Sequence, residues 1–124
     1  EHAFRGVKED RAGGDDAVRP PFPASPGELS TLGLPTYALH QGLIGLRRRH
    51  RWLHTARTTT LHLANEQLAY EAAGGGQRLV VALSVGERPV EVPAKGAGRV
   101  LAGDAEVAGG RVRLPAHGWA VLEG

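Results

Sequence analysis

The chain begins without a hydrophobic period and then passes through two periodic regions. Residues 1–30 are rich in Gly, Pro, Asp and Arg, which predicts a loop. Over residues 34–50, apolar side chains recur at helical spacing, and Pro35 fits a first helical turn. Basic residues 47–50 end this stretch, where cations suit the helix dipole. We therefore predict a loop followed by one amphipathic α-helix.

After Leu53 the hydrophobic period becomes two, which is the spacing of β-strands. The predicted strands span residues 58–64, 67–73, 78–85, 89–93, 99–102, 105–107, 111–114 and 119–122. Seven or eight short strands separated by glycine-rich turns predict a small antiparallel β-sandwich with Greek-key-like connections. We thus expect a mainly β chain, with a loop and helix over residues 1–53 and a sandwich domain over residues 54–124.

Composition limits the classes of protein that the chain can represent. Of its 124 residues 41% are hydrophobic and only 5% aromatic, which predicts one domain with an aliphatic core. Cysteine is absent, so disulfide and thiol chemistry are excluded. A net charge of +2 and the lack of a long apolar run argue against nucleic acid and membrane partners. No signal-peptide pattern is visible, so we expect a cytoplasmic protein. The chain contains no methionine, which is explained either by removal or trimming of the first residue or by a segment of a longer polypeptide.

Adjacent carboxylates in the loop, Asp15 and Asp16, are the main candidates for binding chemistry. They could hold a metal, act as acid and base, or accept hydrogen bonds from sugar hydroxyls, whereas acids on a loop are usually only solvated. Arg19 lies four residues after Asp15 and could pair with it. His50 and His54 are spaced for one helix face but lack a third ligand, so we predict no metal or other cofactor. No catalytic residue is predicted in this chain.

The order of these elements resembles the C-terminal end of an α-amylase-family enzyme, of glycoside hydrolase family 13. Residues 15–20 keep the Asp and Arg of an Asp-Pro-x-x-Arg type motif, with Asp16 where many members have proline. Residues 68–71 and 79–84 resemble the family's strands "laY.R" and "llvvlNls", with departures at Glu71 and Ser84. The family helix "Y..L..LI.LR..H..L" is matched by Tyr37, Leu39, Leu43, Ile44, Leu46, Arg47, His50 and Leu53. Glu1 looks like the Glu of the family's Gly-Asp-Glu, and bacterial members are the most similar.

The resemblance implies a role for the loop. The helix would be the last helix of a (β/α)₈ barrel, and residues 4–23 would follow its eighth strand, at the face that carries active sites. In similar enzymes the matching Asp and Arg contact glucose hydroxyls. Asp15, Arg19 and, with less support, Asp16 are therefore expected to bind an α-glucan or maltooligosaccharide within the intact enzyme.

The same resemblance implies what the chain lacks. Members of this family cleave with retention and use a carboxylate nucleophile, an acid/base carboxylate and a further Asp. All three would lie upstream of Glu1, so the parent would be a retaining α-glycosidase or transglycosidase, and this chain alone would be inactive. The sandwich would stabilise the catalytic barrel domain of the same polypeptide.

Two other functions stay open. A carbohydrate-binding β-sandwich module would need exposed aromatic platforms, whereas Trp52, Tyr70 and Trp119 are expected in the core or in interdomain packing. A basic interaction domain would use the arginines of residues 47–51 to contact phosphates. That run lacks interleaved aromatics, which favours a solvated helix end.

Overall fold

We describe the protein from a computed structural model, which describes residues 6–19 and 21–124. Glu1, Phe4 and Pro20, which belong to the pattern discussed above, lie outside the described residues. The chain divides into two compact units, Glu1–Arg48 and Arg49–Gly124. The assignment of residues 1–53 to a catalytic barrel stays a prediction.

The first unit consists of a loop followed by most of one helix. The loop contains two short 3₁₀ helices, Asp16–Val18 and Pro26–Glu28, and the helix α1 spans Gly33–Arg49. Helix α1 starts one residue earlier than predicted because the Ser30 hydroxyl accepts a hydrogen bond of 3.2 Å from the Gly33 N–H. It ends one residue early because His50 leaves helical geometry, with φ −104° and ψ 65°. No helix in the described part of the chain is long and apolar enough to cross a membrane.

The second unit begins with a 3₁₀ turn, Arg51–His54, and is otherwise built from strands. Along the described chain these are β1 (Arg57–Ala64), β2 (Gln67–Gly74), β3 (Gln77–Ser84), β4 (Val90–Pro93), β5 (Val100–Gly103), β6 (Glu106–Ala108), β7 (Arg111–Leu114) and β8 (Trp119–Glu123). All their pairings are antiparallel. The mainly β prediction is confirmed, and each predicted strand end lies within one residue of the observed one.

The strands form two sheets that share one core. One sheet has five strands in the order β1-β2-β3-β8-β5, and the other has three in the order β4-β7-β6. The chain crosses between sheets after β3, β4, β5 and β7, which brings β3 and β8 together although they are distant in sequence. The fully buried cluster contains Ala69, Val80, Ala82, Val92, Ala94, Val112, Leu114, Ala120 and Leu122. Every side chain in this cluster is aliphatic, as the composition predicted.

The outer faces of the two sheets differ in chemistry. The three-stranded sheet carries ion pairs: the Arg111 Nε lies 3.0 Å from Glu91 Oε2, and Arg113 carries a similar pair. In the five-stranded sheet, side chains that alternate with core positions point outward. This outward row is apolar in the middle of the sheet: Leu68, Tyr70, Val81, Leu83 and Trp119 are half-buried, and Ala72, Leu79 and Val121 are buried.

Trp119 therefore lies outside the sandwich core, so the expectation that it would occupy the core was wrong. Ala120 and Leu122 occupy the inward positions of β8 and are fully buried. Because successive side chains of a strand point to opposite faces, Trp119, which directly precedes Ala120, must face outward. The other expectation, packing against another body, stays a prediction.

Candidate functional site

The loop that holds the candidate carboxylates folds tightly back on itself. The Glu9 N–H donates to the Gly14 carbonyl at 3.0 Å, and the Gly14 N–H donates to the Arg11 carbonyl at 2.9 Å. A Cβ atom at Gly14 would lie 1.9 Å from the Glu9 carbonyl oxygen, so only glycine fits there. The backbone of residues 9–14 thus closes a compact turn directly before Asp15.

A single 3₁₀ turn then sets the spacing of the candidate residues. The Asp16 N–H donates to the Gly13 carbonyl at 3.1 Å, and the Val18 N–H donates to the Asp15 carbonyl at 2.9 Å. Asp15 stands before the turn Asp16–Val18 and Arg19 stands after it. The turn brings the side chains of Asp15 and Arg19 together, as their spacing in the sequence predicted.

Asp15 is held between two cations. Its Oδ2 lies 3.3 Å from Nη2 of Arg19, and its Oδ1 lies 3.2 Å from Nζ of Lys8. The Asp15 side chain is 35% exposed, whereas those of Lys8 and Arg19 are 71% and 77% exposed. The carboxylate is therefore oriented by its neighbours while all three groups stay accessible to a ligand.

Sequence reasoning missed Lys8. It lies seven residues before Asp15, in a segment without any period, so no spacing rule connects the two. Only the closed turn of residues 9–14 brings Lys8 back to the carboxylate. The one indication in the sequence is that a basic residue lies on each side of Asp15, namely Lys8 before it and Arg19 after it.

The structure does not bring Asp16 into this group. Asp16 is exposed, and within residues 6–19 and 21–124 it forms no ion pair. It therefore offers a solvated carboxylate beside the Lys8–Asp15–Arg19 cluster rather than a second member of it. The two acids therefore differ in their surroundings although they are adjacent in sequence.

A surface depression of about 520 Å³ accompanies the cluster and is lined by residues 8–15. Its lining is rich in charged groups, including Arg11, which pairs with Glu9. Such a surface can exchange hydrogen bonds with a polyhydroxylated ligand through carboxylate acceptors and cationic donors. Among the described residues, no group of three or more acids and histidines is placed to hold a metal ion.

A second, apolar pocket lies further along the same unit. Its volume is about 220 Å³, and Phe22, Pro23, Pro26, Leu29 and Tyr37 are among its lining residues. Phe22 is 69% exposed. No spacing in the sequence indicated that Phe22 and Tyr37 would line one pocket.

Comparison with known proteins identifies the fold. No protein-family model and no curated protein matches the chain. A debranching enzyme from Nostoc punctiforme, soaked with acarbose, matches 77% of this chain and 21% of its own, with TM-score 0.66 and 19% identity. A family GH13_31 enzyme matches 98% of this chain and 23% of its own, with TM-score 0.65 and 12% identity. A putative α-amylase from Salmonella typhimurium matches 96% and 24%, with TM-score 0.60 and 24% identity.

The chain therefore spans about a fifth to a quarter of the length of these solved structures. The likeness confirms, at the level of the fold, the resemblance stated from the sequence. The activities given in these names, such as debranching, are those of the matched proteins.

Proposed function

We propose that this chain is the C-terminal segment of an α-amylase-family enzyme that hydrolyses or transfers α-1,4-glucosidic bonds in glucans or maltooligosaccharides. The observation that carries the proposal is the extent of the likeness to the GH13_31 enzyme, which covers 98% of this chain. It includes the loop and α1 as well as the sandwich, so it involves more than a common β-sandwich architecture. The sequence resemblance supports the same family independently of this comparison.

In this proposal the loop supplies part of the substrate-binding face. Lys8 and Arg19 hold the Asp15 carboxylate at 3.2 Å and 3.3 Å, which orients it to accept hydrogen bonds from neighbouring sugar hydroxyls. Arg19 keeps free N–H groups with which to donate to a sugar oxygen. Asp16, exposed and without an ion pair in the described part of the chain, adds a further acceptor.

The sandwich has a packing role in this proposal. The apolar outward row of the five-stranded sheet suits a surface that packs against the catalytic barrel of the same polypeptide. The ion-paired face of the three-stranded sheet suits solvent. The nucleophile and the acid/base carboxylate would belong to the barrel, so the chain alone would not turn over a substrate.

The test uses the polypeptide in which the barrel precedes this chain, assayed on maltooligosaccharides. We expect turnover with retention of the anomeric configuration. NMR of the first product formed measures that configuration. Replacing Asp15 by Asn or Arg19 by Ala should raise KM roughly tenfold, because each removes a hydrogen bond to a charged group. Glu28→Gln, in the same loop but outside the depression of residues 8–15, is the matched control and should leave KM unchanged.

Two results would overturn the proposal. One is the absence of turnover on every α-1,4-linked substrate by the folded longer polypeptide. The other is an equal rise in KM for Glu28→Gln and Asp15→Asn, which would indicate a general effect of charge in the loop rather than contact with sugar.

A second candidate function is a carbohydrate-binding module. The observation that favours it is the outward, half-buried position of Tyr70 and Trp119, since aromatic side chains outside the core can stack on sugar rings. Titration of the chain with maltoheptaose, followed by amide NMR, separates the two functions. Saturable shifts around Tyr70 and Trp119 would favour the module, and shifts confined to residues 8–19 would favour the substrate loop.

A further inference from the structure

Positive charge is segregated along the chain. Residues 29–65 contain five arginines and no aspartate or glutamate, although the whole chain carries a net charge of only +2. All five arginines lie in residues 47–57, which we call the basic segment. They are Arg47, Arg48, Arg49, Arg51 and Arg57. The remainder of the chain is consequently net acidic.

The arginines of the basic segment differ from most others in their surroundings. Elsewhere in the described chain, six of the seven arginines pair with acids: Arg11 with Glu9, Arg19 with Asp15, Arg78 with Glu71, Arg99 with Glu123, Arg111 with Glu91 and Arg113 with Glu106. All five arginines of the basic segment are exposed, and within residues 6–19 and 21–124 they form no ion pair. Their charges are therefore available to an external anion.

Local structure concentrates these charges. Arg47, Arg48 and Arg49 occupy the last turn of α1, and Arg51 opens the 3₁₀ turn Arg51–His54. One turn of an α-helix rises by about 5 Å, so the backbone positions of Arg47, Arg48 and Arg49 lie closer together than the Debye length of about 8 Å at physiological ionic strength. Solvent ions therefore screen these neighbouring charges from one another only in part.

The helix dipole alone does not account for so many cations. It is equivalent to about half an elementary charge at the helix C-terminus, which one or two cations satisfy. Further like charges at this spacing repel one another and destabilise a helix end. A ligand with several negative groups would relieve that repulsion.

The chemistry of the side chains narrows the class of ligand. Guanidinium groups form paired hydrogen bonds with phosphate oxygens and suit phosphate better than ammonium groups do. The aromatic residue of the segment, Trp52, is half-buried, and its indole N–H is buried, so it offers no open platform for stacking nucleic acid bases. The segment is therefore suited to charged substituents on a polymer rather than to bases.

We propose that the basic segment binds phosphate monoesters carried on an α-glucan. This inference rests on the proposed function for the choice of polymer, and on the unpaired arginines for the phosphate. The intact enzyme would then contact a phosphorylated glucan through exposed arginines of the basic segment.

The test measures binding of the full chain to a phosphorylated amylopectin and to the same polymer after phosphatase treatment. We expect roughly tenfold tighter binding to the phosphorylated polymer at low salt, and a loss of this preference as salt is raised. The triple variant Arg49→Gln, Arg51→Gln, Arg57→Gln should lose the preference, and its log–log salt slope should fall in magnitude by about 2.

The matched control is Arg99→Gln, Arg111→Gln, Arg113→Gln, which removes the same charge from arginines that are paired with acids. It should keep the preference for phosphate. Circular dichroism establishes that both variants are folded. The comparison of the two polymers is also made with the unaltered chain, so it tests the preference for phosphate even if a variant fails to fold.

Equal binding of the two polymers by the unaltered chain would overturn the inference. So would an equal loss of preference in both triple variants. Duplex DNA at the same phosphate concentration is the competitor. If it displaced the phosphorylated polymer with equal affinity, the basic segment would bind polyanions in general, and the assignment to a phosphorylated glucan would be overturned. Turnover of α-1,4-glucan by the longer polypeptide tests the proposed function separately, so failure of one is distinguishable from failure of the other.

Discussion

The Arg78 guanidinium donates a hydrogen bond of 2.7 Å to the Glu71 carboxylate across the neighbouring strands β3 and β2. The two residues are diagonal neighbours, since Glu71 is opposite Val80 and Arg78 is opposite Ala73. A second Arg78 nitrogen donates to the Gly96 carbonyl at 2.9 Å. Arg78 therefore joins the five-stranded sheet to the connection between β4 and β5.

Removal of this link should destabilise the sandwich. Arg78→Ala should lower the free energy of unfolding by about 1–2 kcal/mol, because Glu71, whose side chain is 21% exposed in the intact protein, would lose its cation. The estimate is kept low because Arg78 itself is 37% exposed to solvent. Urea unfolding measures the change.

Arg111→Ala is the control, since Arg111 and Glu91 form an ion pair in which both side chains are at least half exposed. We expect it to change the free energy of unfolding by less than about 0.5 kcal/mol. Equal losses in the two variants would show that Arg78 acts only as another surface cation.

Gly103, at the end of β5, should tolerate no side chain. Its φ is +88°, and a Cβ atom would lie 2.1 Å from the Trp119 carbonyl oxygen of β8. Gly109 also has a positive φ, +57°, but a Cβ atom there would meet nothing within 4 Å. Both alanine variants carry backbone strain of about 1 kcal/mol, and only Gly103→Ala adds a clash between strands.

We expect Gly103→Ala to cost at least about 2 kcal/mol more than Gly109→Ala in thermal or urea unfolding. Hydrogen exchange of the β5 and β8 amides should rise in Gly103→Ala alone. Similar stability of the two variants would mean that β5 moves freely enough to accept the side chain.

Acid should weaken the contact between the C-terminal strand and Arg99. The Arg99 guanidinium donates a hydrogen bond of 2.6 Å to Glu123, which lowers the pKa of that carboxyl below its ordinary value. A group whose pKa is lower in the folded state stabilises the fold above its unfolded pKa and loses that contribution as pH falls through the folded pKa.

We therefore expect the NMR titration of the Glu123 carboxyl to have its midpoint below that of an unpaired glutamate. Arg99→Gln should return this midpoint to the ordinary value, whereas Arg88→Gln, at an exposed arginine of the same unit, should not move it. An unchanged midpoint in Arg99→Gln would contradict the assigned cause.

Much of the fold could be predicted from the sequence, because alternation in most strands separates an apolar from a polar side. In β7, for example, Arg111 and Arg113 alternate with the buried Val112 and Leu114. The ion pair of Asp15 with Arg19 was predictable too, since four residues with one turn between them bring two side chains together. Lys8 was not, because a closed irregular loop follows no period.

The face of β8 was not predictable in the same way. Its first four residues, 119–122, are all apolar, so alternation carries no information about which side faces the core. The side is set by packing between the sheets: Ala120 and Leu122 lie in the core with Val112 and Leu114 of the opposing sheet. The larger indole of Trp119 is placed on the outer face as a consequence of that register.

This placement predicts an inverted order of mutational effects in β8. Leu122→Ala should cost about 2–5 kcal/mol, because the Leu122 side chain is fully buried and its removal leaves a cavity between the sheets. Trp119→Ala removes a larger side chain but should cost only about 1–2 kcal/mol, because it is half-buried on the outward row and leaves no enclosed cavity. Urea unfolding of the isolated chain gives both values. A Trp119→Ala loss equal to or above that of Leu122→Ala would contradict the outward position, since only a core tryptophan would then account for it.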